Sequence, residues 1–144
     1  MPEIVRKDIL QNWQIIKAHG KAAIISLVKY LQAMGIKPIV IHDSDVGNEK
    51  AESYNKPILD AIGDESRRIM LNKCVEDVLG YKPPSNEKPY TAYSFIKNNW
   101  KEDWESINES WKSIMEQVFK DSFALSLDNI SNPAELVAVS EDNH

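Results

Sequence analysis

Cysteine is nearly absent from this sequence, and its scarcity excludes two kinds of site. The 144 residues contain one cysteine, Cys74, so neither an internal disulfide nor a structural zinc site built from cysteines can form. No stretch reaches the ~20 apolar residues that cross a bilayer, and the first residues lack the pattern of a secretory signal. We therefore expect a cytoplasmic protein without membrane contact, in which Cys74 is a packing residue.

The sequence also lacks an excess of positive charge and a GxxxxGK[ST] phosphate loop. There are 17 Lys and Arg against 22 Asp and Glu, and five of these acids follow Lys120, where no Lys or Arg occurs. The remaining acids and bases balance, and a neutral body is not typical of a strong nucleic-acid binder. Without the phosphate loop, this chain is not expected to be an ATP-driven enzyme by itself.

Helix and strand patterns alternate along the chain. Three short strands are predicted, each followed by a helical pattern, with the strands at 13–18, 36–41 and 67–71 and the helices at 22–34, 48–62 and 75–79. This order predicts an α/β fold in which helices flank a parallel sheet. Ligands of such sheets bind beyond the carboxyl ends of the strands.

We expect three segments in the domain organisation. Residues 1–98 are predicted to form the α/β domain with a short N-terminal arm, and 99–120 an amphipathic helix rich in tryptophan. Residues 121–144 are predicted to be an acidic, partly ordered tail. Acidic neighbours disfavour stacking of these tryptophans on bases. The Trp100–Val118 face is therefore expected to pack on the domain, on a second copy in a homodimer, or on a protein partner.

The strongest chemical signal is the pair Asp43 and Asp45, which follows the most apolar predicted strand. Two carboxylates at this position can converge on one hard cation, and oxygen ligands suit Mg²⁺ or Mn²⁺. Such an ion can generate a nucleophile and neutralise charge during phosphodiester cleavage. The alternative is a solvated turn, because Asp and Ser favour turns without any metal.

Three further residues are weaker candidates. Glu76 follows the third predicted strand and could add a ligand or a base, although an exposed helical acid is the simpler interpretation. Lys88 could contact a phosphate, and His19 could bind a metal or a phosphate. Most surface lysines and isolated histidines have no such role, so both also have a purely structural interpretation.

Four segments occur in an order that resembles a known family. HGKAAI, MGIKPIVIHDSD, CVEDVLGY and EKPYTAY are similar to the Toprim region of OLD-family (overcoming lysogenization defect) ATP-dependent endonucleases. The resemblance covers roughly residues 13–96. It implies a Toprim-like sheet with a C-terminal helical extension, which binds divalent metal and cleaves or nicks DNA. It also implies an ABC-type ATPase domain or subunit as a partner that drives dimerisation.

The resemblance assigns roles to individual residues. Asp43 and Asp45 match the paired aspartates and are expected to be metal ligands, while Glu76 matches an acid after the third strand. Lys88 matches a lysine near the scissile phosphate, and Gly20 matches the glycine after the first strand.

The sequence departs from the family at the glutamate that precedes this glycine, where His19 stands instead. Ala22 and Ala23 replace the acid that OLD-type sequences often carry a few residues later. His19 is therefore expected to take over part of the catalytic work, or catalysis is reduced. With no ATPase motif, we expect a fragment, a split-gene product or a reduced stand-alone form.

Three functions follow from these observations. The first is a Mg²⁺- or Mn²⁺-dependent DNA endonuclease domain, which uses Asp43, Asp45, Glu76 and Lys88. The second is a non-catalytic Toprim-like module that docks on a partner through the Trp100–Val118 face. The third is a phosphatase of the haloacid-dehalogenase type, with Asp43 as nucleophile and Asp45 as acid/base, although its motif usually follows the first strand.

Overall fold

The computed structural model describes residues 1–82, 86, 88–101 and 103–131, and it describes side chains for all of these except 88 and 127–131. The predicted tail therefore lies outside the described residues from 132 onward. The chain divides into two compact units, one formed by 1–15 and 115–144 and the other by 16–114. No helix in the described part of the chain is long and apolar enough to cross a membrane.

The described residues form helices and two short strands. In chain order these are α1 (Glu3–Asn12), α2 (Lys21–Ala33), β1 (Val40–Asp43), α3 (Glu49–Glu52), α4 (Asn55–Ile62), β2 (Arg68–Leu71), α5 (Val75–Leu79), α6 (Lys88–Asn99), α7 (Glu109–Val118) and α8 (Lys120–Ser131). Short 3-10 turns occupy Glu65–Arg67 and Trp104–Ser106.

The two strands form a parallel pair in the second unit. Val40 lies beside Arg68, and the register continues to Asp43 beside Leu71. The prediction of a mixed α/β fold with a parallel sheet and flanking helices is confirmed, although the sheet of the described residues has two strands. The predicted strand at 67–71 is confirmed almost to its ends, whereas the one at 36–41 begins later, at Val40.

The predicted strand at 13–18 is wrong, because the chain there is irregular between α1 and α2. A strand needs a hydrogen-bonded neighbour, and the ladder of β1 and β2 does not extend to this segment. Ile15 is 91% exposed, so its apolar side chain is not covered by the described residues. The segment is therefore not a paired strand, although Trp13 packs on Phe119 and Ala18 packs on the core of the second unit.

The core of the second unit lies between α2, α4 and one face of β1. It consists of Ile24 and Val28 from α2, Val40 from β1, and Ile58 and Ile62 from α4. Ile58 is 0% and Ile62 is 1% exposed, and each such side chain contributes about 1.5–3 kcal/mol through burial. This packing holds α2 and α4 together against the start of β1.

The long helix predicted from Trp100 is interrupted. Only a 3-10 turn forms at Trp104–Ser106, and α7 starts at Glu109. The Asp103 carboxylate accepts a 2.9 Å hydrogen bond from the Glu105 amide, and the Asn108 side chain accepts one of 2.9 Å from the Ser110 amide. Such short-range bonds compete with helix continuation, and they outweigh the helical spacing of the tryptophans.

The first unit pairs α1 with α8. The Ser122 hydroxyl donates a 2.6 Å hydrogen bond to the Asp8 carboxylate, and Val5 is fully buried. The rings of Trp13 and Phe119 meet edge to face, with centroids 4.8 Å apart. The first part of the predicted acidic tail is thus helical, since α8 extends to Ser131.

Candidate metal-binding site at the carboxyl edge of the sheet

Ser44 joins the ends of the two strands. Its amide donates a 2.7 Å hydrogen bond to the Leu71 carbonyl, which continues the ladder one residue beyond β1. Its hydroxyl donates a 2.6 Å bond to the Asn72 carbonyl, and the residue is 4% exposed. The serine between the two aspartates is therefore a buried anchor that holds both sides of the sheet edge together.

Asp45 has a left-handed backbone conformation, with φ +56°. This conformation is uncommon for residues other than glycine, although Asp tolerates it better than most. The Asp45 carbonyl accepts a 2.9 Å bond from the Asn48 amide, which closes the turn that leads into α3. The side chain is 35% exposed, so the carboxylate is accessible from solvent.

The Asp45 carboxylate forms an ion pair with Lys21, the first residue of α2. The Lys21 Nζ atom lies 2.7 Å from Asp45 Oδ2, and the lysine side chain is only 11% exposed. The same nitrogen donates a 2.7 Å bond to the Asn55 Oδ1 atom. Asn55 in turn donates a 2.8 Å bond to the Ser44 carbonyl. These contacts connect the starts of α2 and α4 to the loop after β1.

An open groove of about 1290 Å³ lies beside this loop, beyond the carboxyl ends of β1 and β2. It carries both charged and apolar side chains along its length. The lining residues are Ser44, Asp45, Val46, Met70, Asn72, Lys73, Cys74, Asp77, Gly80, Tyr81 and Lys82. The groove therefore lies where parallel α/β folds usually bind their ligands.

The predicted site residues occupy different environments. Asp43 ends β1 and Asp45 lines the groove, whereas Glu76 in α5 is 9% exposed and does not line it. His19 is exposed with φ +57°, and Lys88 is the first residue of α6, with its side chain outside the described part of the structure. Among the described residues, no three or more His, Cys, Asp or Glu side chains form a metal-binding group.

His42 lies next to the aspartates but faces the interior. It is 6% exposed, and its Nδ1 atom is 2.9 Å from the Asp43 carbonyl oxygen. Burial lowers the pKa of His42, so its imidazole is neutral at pH 7. The buried Nε2 atom has no hydrogen-bond partner among the described residues. A neutral ring adds no positive charge to the site.

Two groove residues carry protonated side chains at neutral pH. Burial raises the pKa of the Cys74 thiol, which makes this residue a poor nucleophile. Burial, with the nearby negative charge of Glu76, also raises the pKa of Tyr81. The Tyr81 ring packs against Phe95 with centroids 4.8 Å apart. Cys74 is half-buried and lines the groove, and its role as a packing residue stays a prediction.

Two residues of this site were not predicted from the sequence. Neither Asn55 nor Lys21 is among the candidate site residues that the sequence predicts. Lys21 and Asp45 are 24 positions apart in the sequence, and Asn55 comes 34 positions after Lys21. Neither spacing belongs to a local motif, so no sequence signal connects them. The packing of α2 and α4 on β1 brings the three residues together.

One comparison with known proteins gives a match. Residues 3–45 match the family model described as "Overcoming lysogenization defect protein-like, TOPRIM domain", and this segment includes Lys21, Asp43 and Asp45. Glu76 and Lys88 lie outside the matched segment. No curated protein and no solved structure matches the chain. The match supports the resemblance to the OLD-like Toprim domain over residues 3–45.

Proposed function

We propose that this chain is a divalent-metal-dependent module that cleaves or nicks DNA phosphodiesters, as the Toprim half of an OLD-type nuclease. A Toprim domain indicates a metal-binding function related to nucleic acids. The observation that carries the proposal is the position of Asp45, which follows β1 within the matched segment and opens onto the groove. Asp43 and Asp45 would hold the ion.

The residues of this loop fit a Mg²⁺ or Mn²⁺ ion. Magnesium is commonly held by one or two carboxylates, with waters and substrate phosphates completing its shell. Asp43 and Asp45 supply two carboxylates at one sheet edge, so a third protein ligand is not required. When bound, the ion would supply charge neutralisation and an activated water. Glu76 is proposed to support the metal site as a nearby acid, although its side chain does not line the groove.

The chain's own residues would bind and orient the phosphate backbone. Lys73 and Lys82 line the groove beside Asp45 and are exposed, so their charges can attract phosphates. Asp77 pairs with Lys73 at 3.5 Å and reduces its effect. Lys88 is proposed as a further phosphate contact, and His19 as a residue that replaces part of the missing glutamate's role. The balanced charges of residues 1–120 limit the affinity of this chain for DNA. We therefore propose that an ATPase partner, or a second copy in a homodimer, adds binding surface.

The test is nicking of supercoiled plasmid by the full chain in Mn²⁺ and in Mg²⁺. The wild type would be compared with Asp43→Ala and Asp45→Ala, with Asp60→Ala as the matched control. Asp60 is an exposed aspartate of α4 that pairs with Lys56 and lies outside the groove. The proposal expects metal-dependent nicking by the wild type and the control, and none by the other two variants.

Two results would contradict the proposal. Nicking that survives both Asp43→Ala and Asp45→Ala would show that another nuclease or another site is responsible. The absence of nicking in either metal, with and without an added ABC-type ATPase subunit, would remove the catalytic function from this chain.

A second candidate is a catalytically reduced Toprim-like module that docks on a protein partner. It is favoured by the Lys21 ammonium on Asp45, since the carboxylate already has a cation beside it. Trp100, Trp104 and Trp111 are each half-buried, which leaves part of each ring for a partner or a second copy. Size measurement of the wild type and Trp111→Ala, by light scattering, distinguishes a self-association surface from intramolecular packing.

A further inference from the structure

The Lys21 ammonium is enclosed by four oxygen atoms. Asp45 Oδ2 and Asn55 Oδ1 each lie 2.7 Å away, and the carbonyl oxygens of Ala51 and Ser44 lie at 3.3 Å and 3.4 Å. An ammonium group has three hydrogens to donate and no lone pair, so its contacts here are all to acceptors. The side chain is 11% exposed and has little freedom to leave this position.

The position of this lysine is unfavourable for its own helix. Lys21 is the first residue of α2, and α2 has no acidic residue in its first turn and no side-chain cap. The positive end of the helix dipole repels a cation there. The Asp45 carboxylate offsets that repulsion. The contacts of Lys21 therefore stabilise the Asp45 loop and do not stabilise the start of α2.

The cage has the donor set of a hard cation site. One carboxylate, one amide oxygen and two backbone carbonyls are the ligands that Mg²⁺, Mn²⁺ and Ca²⁺ accept. A divalent ion bound to Asp45 would lie close to the ammonium, and two like charges at short range repel one another. The metal and the lysine therefore compete for the same carboxylate.

We infer that Lys21 is an internal cation that occupies the Asp45 side of the site and lowers the affinity of the Asp43–Asp45 loop for divalent metal. The inference rests on the metal site of the proposed function and adds a residue that regulates it. Removal of the ammonium, with the cage intact, frees Asp45 and leaves the loop with one more uncompensated negative charge. Metal affinity then rises.

The experiment measures Mn²⁺ binding to the full chain by the paramagnetic resonance signal of free Mn²⁺. Lys21→Met keeps the apolar stem and removes the charge, while Lys21→Arg keeps the charge. Lys29→Met is the matched control, because Lys29 is an exposed lysine of the same helix. Lys21→Met is expected to bind Mn²⁺ at least about tenfold more tightly than the wild type. Lys21→Arg and Lys29→Met should stay near the wild-type affinity.

Two further variants identify the source of the gain. Addition of Asp45→Asn to Lys21→Met should remove the increase, because the freed carboxylate is then absent. Lys21→Gln is a neutral variant that can still donate to Asp45, and it replaces Lys21→Met if circular dichroism shows that the methionine variant does not fold. The inference is overturned if the neutral, folded variant binds Mn²⁺ no more tightly than the wild type, or if Asp45→Asn leaves the gain unchanged.

The outcome is separable from that of the nuclease proposal. A gain in Mn²⁺ affinity through Asp45, together with an inactive wild type, supports the role of Lys21 and removes the nuclease function. Plasmid nicking that depends on Asp43 and Asp45, without any gain in the neutral Lys21 variant, supports the nuclease function and overturns the role of Lys21.

Discussion

The Ser44 hydroxyl donates a 2.6 Å hydrogen bond to the Asn72 carbonyl oxygen, and this bond joins the residues that follow the two strands. Because Ser44 is 4% exposed, Ser44→Ala removes a donor from a place that water reaches poorly. We expect the free energy of unfolding to fall by about 1–2 kcal/mol. Urea denaturation followed by circular dichroism measures it.

The control for this substitution is Ser53→Ala. The Ser53 hydroxyl also donates to a backbone carbonyl, that of Lys50 at 2.8 Å, but the residue is exposed and water can replace it. Ser53→Ala should lower the free energy of unfolding by no more than about 0.5 kcal/mol. Equal losses in the two variants would contradict the anchoring role of Ser44.

Acid should weaken the contact between α1 and α8. The hydrogen bond from Ser122 is the main cause that lowers the pKa of Asp8, with Asn12 contributing next. A carboxyl whose pKa is depressed in the folded state stabilises the fold above its unfolded pKa, near 3.8, and this stabilisation is lost as the pH falls through the folded value. The Tm difference between the wild type and Ser122→Ala should therefore be largest at neutral pH.

The comparison of the wild type with Ser122→Ala isolates this bond, because carboxyls such as Glu3 and Asp64, whose pKa values are also lowered, are common to both chains. Thermal unfolding at a series of pH values gives the Tm difference. A difference that stays constant, or grows, below the ordinary carboxyl pKa would be inconsistent with a bond to an ionised Asp8.

Ile58 and Ile15 provide a matched pair of isoleucines in opposite environments. Ile58 is 0% exposed in the α2–α4–β1 core, so Ile58→Ala should cost about 2–5 kcal/mol. Ile15 is 91% exposed, and Ile15→Ala should change stability by less than about 0.5 kcal/mol. Denaturant titration measures both. A large cost at Ile15 would indicate that the 13–18 segment is packed or paired in solution.

Gly80 and Gly35 test the effect of a side chain at two positive-φ positions. Gly80 ends α5 with φ +95°, and a Cβ there would lie 2.9 Å from the Asn108 Nδ2 atom. Gly35 has φ +81° with open space around it. Both alanine substitutions strain the backbone, by about 1–2 kcal/mol. Gly80→Ala should lower the Tm further than Gly35→Ala, and equal decreases would show that the Asn108 side chain moves away without cost.

Lys82 tests whether the groove contacts nucleic acid. Lys82→Gln should weaken binding to duplex DNA and lower the slope of log affinity against log salt by about 0.9, the value for one phosphate contact. Lys29→Gln, at an exposed lysine of α2 away from the groove, should leave the slope unchanged. Fluorescence anisotropy at several salt concentrations gives the slopes. Equal slopes for Lys82→Gln and the wild type would place DNA, if bound, elsewhere.

Several elements were predictable because their signals are local. The helix at 22–34 appears as Lys21–Ala33, and α5 has the predicted bounds and ends at Gly80 in the left-handed region. The predicted helix at 48–62 is confirmed in two pieces, α3 and α4, which are separated at Ser53 and Tyr54. Helical periodicity and glycine at a helix end depend on residues within one or two turns, so the chain itself encodes them.

The candidate site was predictable only in part. The place of Asp43 and Asp45 at the carboxyl end of β1 could be predicted, because the strand pattern and the turn residues are adjacent in sequence. The family resemblance agrees with the matched segment 3–45. The roles of Glu76, Lys88 and His19 stay predictions, since they depend on side-chain positions that the sequence pattern does not fix.

Local patterns and chain order are enough to establish the α/β class, the parallel order of β1 and β2, and the aspartate loop. The irregular conformation of residues 13–18 is decided only by the tertiary structure, because a strand forms only where an adjacent strand accepts and donates its backbone hydrogen bonds. The same holds for the binding of Lys21 to Asp45 and Asn55. These contacts join residues far apart in the chain, and they form because α2 and α4 bury their apolar faces against β1.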